Sequence, residues 1–398
     1  MPAGLTVAEY VLSSCILTFT NRDSIQRTSA LLCLALLSCI ELALQGYVQA
    51  HPFIRVVATF FSFIKIVHFI NLFGILKLDR TDRLSPTCKL EPTASSRFRS
   101  ALHLAMSTRG IGTKWQIRGL PTWPPTLEAP GKADFRARFL ARQAVVVAWQ
   151  YMAWDIVYNG VLLECARTQS HLYRPESDYL GFSTTAGQVR IRIIVAGVFV
   201  CGVLFVVDML YRLASITAVS LNLTQWDDWP PLFGDIKDAY TVTRFWGKFW
   251  HQLIRWPMVS FVKWVRNDVL HIPMLSSGDR FIDAVILFNL SGILHYVSVA
   301  GSGMDEPQWG TVHFFMVQPL AMLLENSLSS WVRPRCWQRV IGYAWVWLWL
   351  NITAPWFGFP SMRLPVEKSL FMPYSFVEDV GLARMTVFAA LLGLAISV

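Results

Sequence analysis

Residues 191–213 read IRIIVAGVFVCGVLFVVDMLYRL, an apolar run long enough to cross the roughly 30 Å hydrocarbon core of a bilayer as one helix. In lipid such a segment has no water for its amides and carbonyls, so they must pair within the segment itself. Comparable stretches recur at 5–20, 29–50, 54–76, 143–166, 281–300, 310–327, 339–357 and 376–398. The pattern predicts an all-α polytopic membrane protein with about nine transmembrane helices. Composition agrees, since 54% of the 398 residues are hydrophobic and 15% are charged, against roughly a quarter charged in an ordinary soluble domain. Met1 to Tyr10 contains Glu9 and no basic n-region, so the first run is expected to remain as an anchor.

The net charge of +9 is concentrated in loops, where it selects the cytosolic side rather than a nucleic acid partner. Residues 78–142 hold twelve Lys and Arg against five acids, Asp79, Asp82, Glu91, Glu128 and Asp134, and read as a basic cytosolic loop. Alternation then puts 21–28, with Arg22 and Arg27, in the cytosol. It puts 301–309, with Asp305 and Glu306, in the lumen, and 328–338, with Arg333 and Arg335, back in the cytosol. Residues 214–280 also face the cytosol, where activated acyl thioesters are found. The seven cysteines form no C-x-x-C pair, which argues against a disulfide framework or a zinc site.

Within that cytosolic segment, WDDWPPLFG (226–234) interrupts regular structure with two prolines, after which a helix can restart. RFWGKFWHQLIR (244–255) then reads as one amphipathic helix. Arg244, Lys248, His251 and Arg255 form a stripe at i, i+4, i+7 and i+11, with Phe245, Trp246, Phe249 and Trp250 on another face. Residues 256–270 are amphipathic and too charged to span, which predicts in-plane or re-entrant helices.

Two histidines stand out. His295 lies inside the apolar run 281–301, with Ser291, Gly292 and Ser298 on its helical face, so that face should meet protein or a cavity rather than lipid. A neutral imidazole there either accepts a proton during a reaction or locks helices together through a hydrogen bond. His251 either joins it in a site or belongs to a solvated basic stripe.

WPPLFG (229–234), DAYTVTRFWGKFWHQLIR (238–255) and FNLSGILHY (288–296) together resemble the wax synthase-like branch of the membrane-bound O-acyltransferase superfamily. RGIGTKW (109–115) resembles fungal members of that branch, several of which acetylate terpenoid or meroterpenoid alcohols. The likeness runs from about residue 109 to 300. It departs at Thr241-Val242-Thr243, where many members carry a Ser-Leu-Arg type run, and at His251, where distant relatives have Asn.

The resemblance implies one acyltransferase domain over 1–398, a catalytic core segment at 222–300, and helices enclosing a tunnel. It implies His295 as the catalytic base and His251 as the second polar site residue. Trp246, Trp250, Arg244, Lys248, Arg255 and Ser291 are the expected substrate-binding residues, the three cations meeting the phosphates of coenzyme A or a lipid headgroup stripe. Ser291 also raises a covalent alternative in which it is acylated first.

The expected co-substrate is acetyl-CoA or another acyl-CoA, with no tightly bound cofactor. The expected acceptor is a lipophilic alcohol drawn from the bilayer of the endoplasmic reticulum. The oligomeric state is open. Long-chain wax or sterol ester synthesis is the alternative on the same machinery. A polytopic transporter is the alternative of another class, with Glu41, His68, Asp155 and His295 as a proton relay.

Overall fold

The computed structural model describes residues 2–45, 47, 50, 52–82, 84, 93–123, 135–181, 183–272, 277–300, 309–329, 336–363 and 374–397, and every regular element among them is helical. In chain order these are α1 (Pro2–Phe19), α2 (Ile25–Gln45), and α3 (Pro52–Phe69), which runs into a π-helical turn at Ile70–Ile75. After α4 (Ala94–Met106), α5 (Phe135–Val157) continues through a π turn at Tyr158–Leu163 into α6 (Glu164–Thr168). Next, α7 (Ala186–Gly202) passes through Val203–Val207 into α8 (Asp208–Ser220). Then come α9 (Val242–Arg244), α10 (Arg255–Trp264), α11 (Ser277–Ala300), α12 (Trp309–Ser329), α13 (Cys336–Met362), α14 (Phe376–Val380) and α15 (Leu382–Ser397).

Helix occupies most of each of the nine expected apolar runs, ending at Gln45 in the run 29–50 and dividing at Gly381 in the last. Four segments among the described residues, Ile25–Gln45, Phe53–Ile75, Ala186–Ser220 and Arg280–Ala300, are long and apolar enough to cross a membrane. Asp305, Glu306, Arg333 and Arg335, which orient the chain in the sequence reading, lie outside the described residues, as do Glu91, Glu128 and Asp134 of the basic segment.

Local chemistry sets where helices begin. Thr93 accepts from the Ser96 amide and Ser96 reaches back to Thr93, a reciprocal cap that starts α4; Thr185 and Gln188 do the same for α7.

The chain divides into two compact units, residues 1–118 with 252–323 and residues 119–251 with 324–398. In the first, α1 packs on α2 and α4, and α3 packs on α11. Three of its helices are tied by charge. Lys65 of α3 pairs with Glu9 of α1 and Glu41 of α2, all three buried. Ser38 donates to Glu9, while Ser62 and Thr6 donate to Glu41 at 2.7 and 2.9 Å. A buried ion cluster of this kind persists only when its remaining donors and acceptors are filled. His68 of α3 bonds the Leu104 carbonyl of α4 at 3.0 Å and lies edge-on to Trp256 at 5.1 Å.

In the second unit, α7 packs on α13, and α5 packs on α8 and α15. Asp155, buried in α5, accepts from Asn159, from the Ser375 hydroxyl and from the Val377 amide, and so anchors the start of α14. Glu41, His68 and Asp155 are therefore each fastened to a local partner, which is the helix-locking use of buried polar groups.

Candidate active site

His295 sits in the first unit on α11, partly buried. Its Nδ1 lies 2.8 Å from the carbonyl oxygen of Ser291, one turn earlier. A carbonyl only accepts, so Nδ1 carries the proton and the neutral ring presents the Nε2 lone pair as its acceptor. The ring stands 4.4 Å from Phe315 and 5.4 Å from Phe60, centroid to centroid. The small-residue face meets protein: a Cβ added to Gly292 would lie 3.4 Å from the Phe315 Cβ and 3.5 Å from the Val312 backbone, and Ser298 is buried. Ser291 thus joins His295 through its carbonyl.

His251 belongs to the second unit. The segment before it is irregular, with single 3-10 turns at Trp226–Asp228 and Ile236–Asp238, as the prolines require. Tyr211 donates to the Pro230 carbonyl at 2.9 Å, and Leu232 is fully buried, so the WPPLFG loop is pinned from both sides.

The single helix expected over 244–255 does not form. Helical backbone runs from Val242 through a π turn at Phe245–Phe249, then Trp250 turns extended (φ −62°, ψ 155°) and helix resumes only at Arg255. The reason is a competing hydrogen bond. Gly234 donates its N–H to the Phe249 carbonyl at 2.9 Å, occupying the acceptor that a continuing helix would use. Arg244 and Lys248 therefore share one helical segment, His251 lies on the irregular connection after it, and Arg255 opens α10 in the other unit. The four-residue basic stripe is replaced by an aromatic cluster. Trp246 and Trp250 meet at 5.0 Å, Trp250 and His251 at 5.7 Å, and Phe233 faces His251 edge-on at 5.8 Å. Phe199 of α7 stacks on Trp250 at 5.8 Å and 15°.

The expected phosphate-binding cations differ in setting. Arg244 is ion-paired with Asp238, donates to the Asp238 carbonyl at 2.9 Å, and covers the Tyr240 ring at 4.4 Å. Lys248 is exposed. Arg255 is partly buried, and desolvation lowers the pKa of its guanidinium below the usual range.

The RGIGTKW stretch folds as consecutive turns in the first unit. Gly110 and Gly112 adopt φ of +62° and +69°, and a Cβ on Gly110 would come 2.8 Å from the Trp115 carbonyl oxygen. Trp115 stacks on Trp256 at 6.0 Å, and Thr108 donates to the Leu253 carbonyl, so this loop buttresses the start of α10.

Sequence reasoning missed Phe60, Phe199 and Phe315, because an aromatic residue in an apolar run reads the same whether it faces lipid or a functional ring. Phe233 was visible only as part of the WPPLFG motif.

Comparison with known proteins identifies the family. The pattern described as "Membrane bound O-acyl transferase family" matches residues 229–317, a span that includes both histidines. The acetyltransferase atnC of Arthrinium sp is 33% identical over 80% of this chain and 78% of its own length. The acetyltransferase pyr8 of Aspergillus fumigatus is 30% identical over 79% of this chain and 76% of its own. The acetyltransferase nanB of Aspergillus nanangensis is 32% identical, covering 72% of each. No solved structure matches the chain. With every regular element among the described residues helical and relatives of this identity over most of its length, the chain belongs to the membrane-bound O-acyltransferase family and is an O-acyltransferase.

Proposed function

We propose that the protein transfers an acetyl group from acetyl-CoA to a hydroxyl of a lipophilic terpenoid or meroterpenoid, with His295 as the general base. The acetyl donor is supported by the three relatives named above, each an acetyltransferase. The observation that carries the base assignment is the hydrogen bond from His295 Nδ1 to the Ser291 carbonyl, because it orients the ring and makes Nε2 the proton acceptor.

In the proposed reaction the substrate hydroxyl loses its proton to Nε2 as its oxygen attacks the thioester carbonyl. The oxyanion collapses, the C–S bond breaks, and the imidazolium returns the proton to the departing thiolate to give free CoA. A positioned base of this kind contributes roughly 10²- to 10⁴-fold. His251, within its aromatic cluster, orients the thioester or donates to the oxyanion. Trp246 and Trp250 flank the donor, and Lys248 and Arg255 meet its phosphates. Arg244 supports them from its place against Asp238 and Tyr240. Ser291 acts through its carbonyl rather than as an acylated nucleophile.

The chain works as a single domain with about nine spans in the endoplasmic reticulum membrane, its helices enclosing a tunnel. Acyl-CoA enters from the cytosol and the alcohol arrives from the bilayer. The test is to supply microsomes containing the protein with labelled acetyl-CoA or palmitoyl-CoA and a panel of terpenoid alcohols, then identify the product. Acetyl ester supports the reading. Palmitoyl ester alone replaces it with long-chain ester synthesis, and no ester from either donor refutes it.

A further inference from the structure

The backbone that leads into His251 is held by a carboxylate far away in sequence. Glu325, near the C-terminal end of α12, accepts four hydrogen bonds. Its Oε1 takes the Val242 amide and the Trp345 indole N–H, the latter at 2.9 Å. Its Oε2 takes the Thr243 amide at 2.9 Å and the Thr243 hydroxyl at 2.7 Å. Val242 and Thr243 are the first two residues of the helical segment that ends at Phe249, and their amides have no partner within it. The third amide, that of Arg244, is taken by the Thr241 hydroxyl. The negative charge of Glu325 also suits the positive end of the helix.

Other residues of the same unit reinforce the grip. The backbone of Gly342 in α13 approaches Tyr240 so closely that a Cβ there would overlap the Tyr240 carbonyl oxygen. Tyr343 donates to the Ile236 carbonyl at 3.0 Å, and Arg339 lies over the Tyr240 ring at 5.4 Å. Residues 236–244 are therefore clamped at several points by α12 and α13, with Glu325 at the helix start.

We propose that Glu325 is a positioning residue for the acyl transfer: it fixes the start of the Val242–Phe249 segment and thereby the placement of Trp246, Trp250 and His251. The proposal rests on the reading that this segment belongs to the active site. A carboxylate is suited to the task because its two oxygens serve both backbone amides, the hydroxyl and the indole at once. Glutamine keeps one acceptor oxygen and turns a donor toward the remaining groups. The side chain is half-buried with both oxygens engaged, so its effect passes through geometry.

The experiment compares the full-length wild type, Glu325→Ala, Glu325→Gln, Thr241→Ala and His251→Ala in detergent. It records steady-state kinetics per folded molecule and hydrogen exchange in peptides covering 242–249. Glu325→Ala is expected to speed exchange there at least tenfold and to lower kcat about tenfold to a hundredfold, with KM for acetyl-CoA within about threefold. Thr241→Ala should act in the same sense and less strongly. Glu325→Gln should recover at least half of the lost log kcat, and it carries the test if the alanine variant does not fold.

Faster exchange with wild-type kcat in both Glu325 variants, while His251→Ala is slow, overturns the positioning role alone. So does unchanged exchange. Wild-type kcat in His251→Ala overturns the underlying reading of the segment, and the proposal with it.

Discussion

Gly234 and Gly247 both lie in the stretches that carry the family likeness, and the structure separates their roles. A Cβ on Gly234 would overlap the Lys248 carbonyl oxygen and come 3.3 Å from the Phe249 Cα. Both are backbone atoms, which cannot swing aside as the end of a side chain would. Gly234→Ala must therefore push the WPPLFG loop away from residues 248–249 and stretch the Gly234 N–H to Phe249 hydrogen bond. Overpacking costs about 1–3 kcal/mol and the weakened bond about 1 kcal/mol, so a loss of about 2–4 kcal/mol in stability is expected. Trp250 and His251 follow directly on the displaced backbone, and a shift near 1 Å costs about 10²-fold in rate, so each folded molecule should turn over about ten to a hundred times more slowly. Gly247 is the contrasting position. A Cβ there meets nothing within 4 Å, and the residue is in the middle of the Phe245–Phe249 turn. Gly247→Ala should leave turnover unchanged and stabilise by up to about 1 kcal/mol. Thermal unfolding and acetyl transfer of both purified variants provide the assay. Gly234→Ala indistinguishable from wild type, or Gly247→Ala as the damaged member of the pair, refutes the reasoning.

Lys65→Met removes the cation that Glu9 and Glu41 share and should cost about 3–5 kcal/mol, read as a lower melting temperature in detergent. Adding Glu9→Gln and Glu41→Gln should restore most of that loss, and an unchanged melting temperature in Lys65→Met would show that the cluster holds nothing together. At Asp79, burial opposes ionisation, but hydrogen bonds from the Thr81 hydroxyl and amide and the Arg22 amide outweigh it and hold the carboxyl below its usual pKa. A depressed folded-state pKa contributes stability in full above the unfolded value of about 4 and loses it as the pH falls through the folded value. Asp79→Asn should therefore cost about 1–2 kcal/mol at pH 7, and its melting temperature should converge on that of the wild type as the pH is lowered below about 4. A gap that stays constant with pH would show that the ionised carboxylate is not the stabilising form.

Much of the helical framework was legible because hydrophobic length is a local property of the sequence. Helices appear at 5–20, 143–166 and each of the other apolar runs, and the proline break at 230–231 falls where the chain turns irregular. Ser291, Gly292 and Ser298 foretold that the His295 face meets protein, since small residues leave room for close approach. The helix across 244–255 was misread because periodicity registers side chains and not the competition for a carbonyl. The Phe249 oxygen is taken by Gly234, fifteen positions upstream, and nothing within 244–255 signals it. The ion pair of Arg244 with Asp238 was hidden for the same reason, since Asp238 lies outside the helical window. Glu325 registered in the sequence as one charge near the end of an apolar run. Its partners, Val242 and Thr243, are more than eighty residues away.

The central claim is that the His295 imidazole takes the hydroxyl proton during acyl transfer. The most direct measurement is the single-turnover rate of acetyl transfer by His295→Ala, inserted in membranes and saturated with acetyl-CoA. The account predicts a fall of about 10²- to 10⁴-fold, equal to about 2.7–5.5 kcal/mol in the barrier, with membrane insertion and acetyl-CoA binding retained. A rate within threefold of the wild type would contradict it.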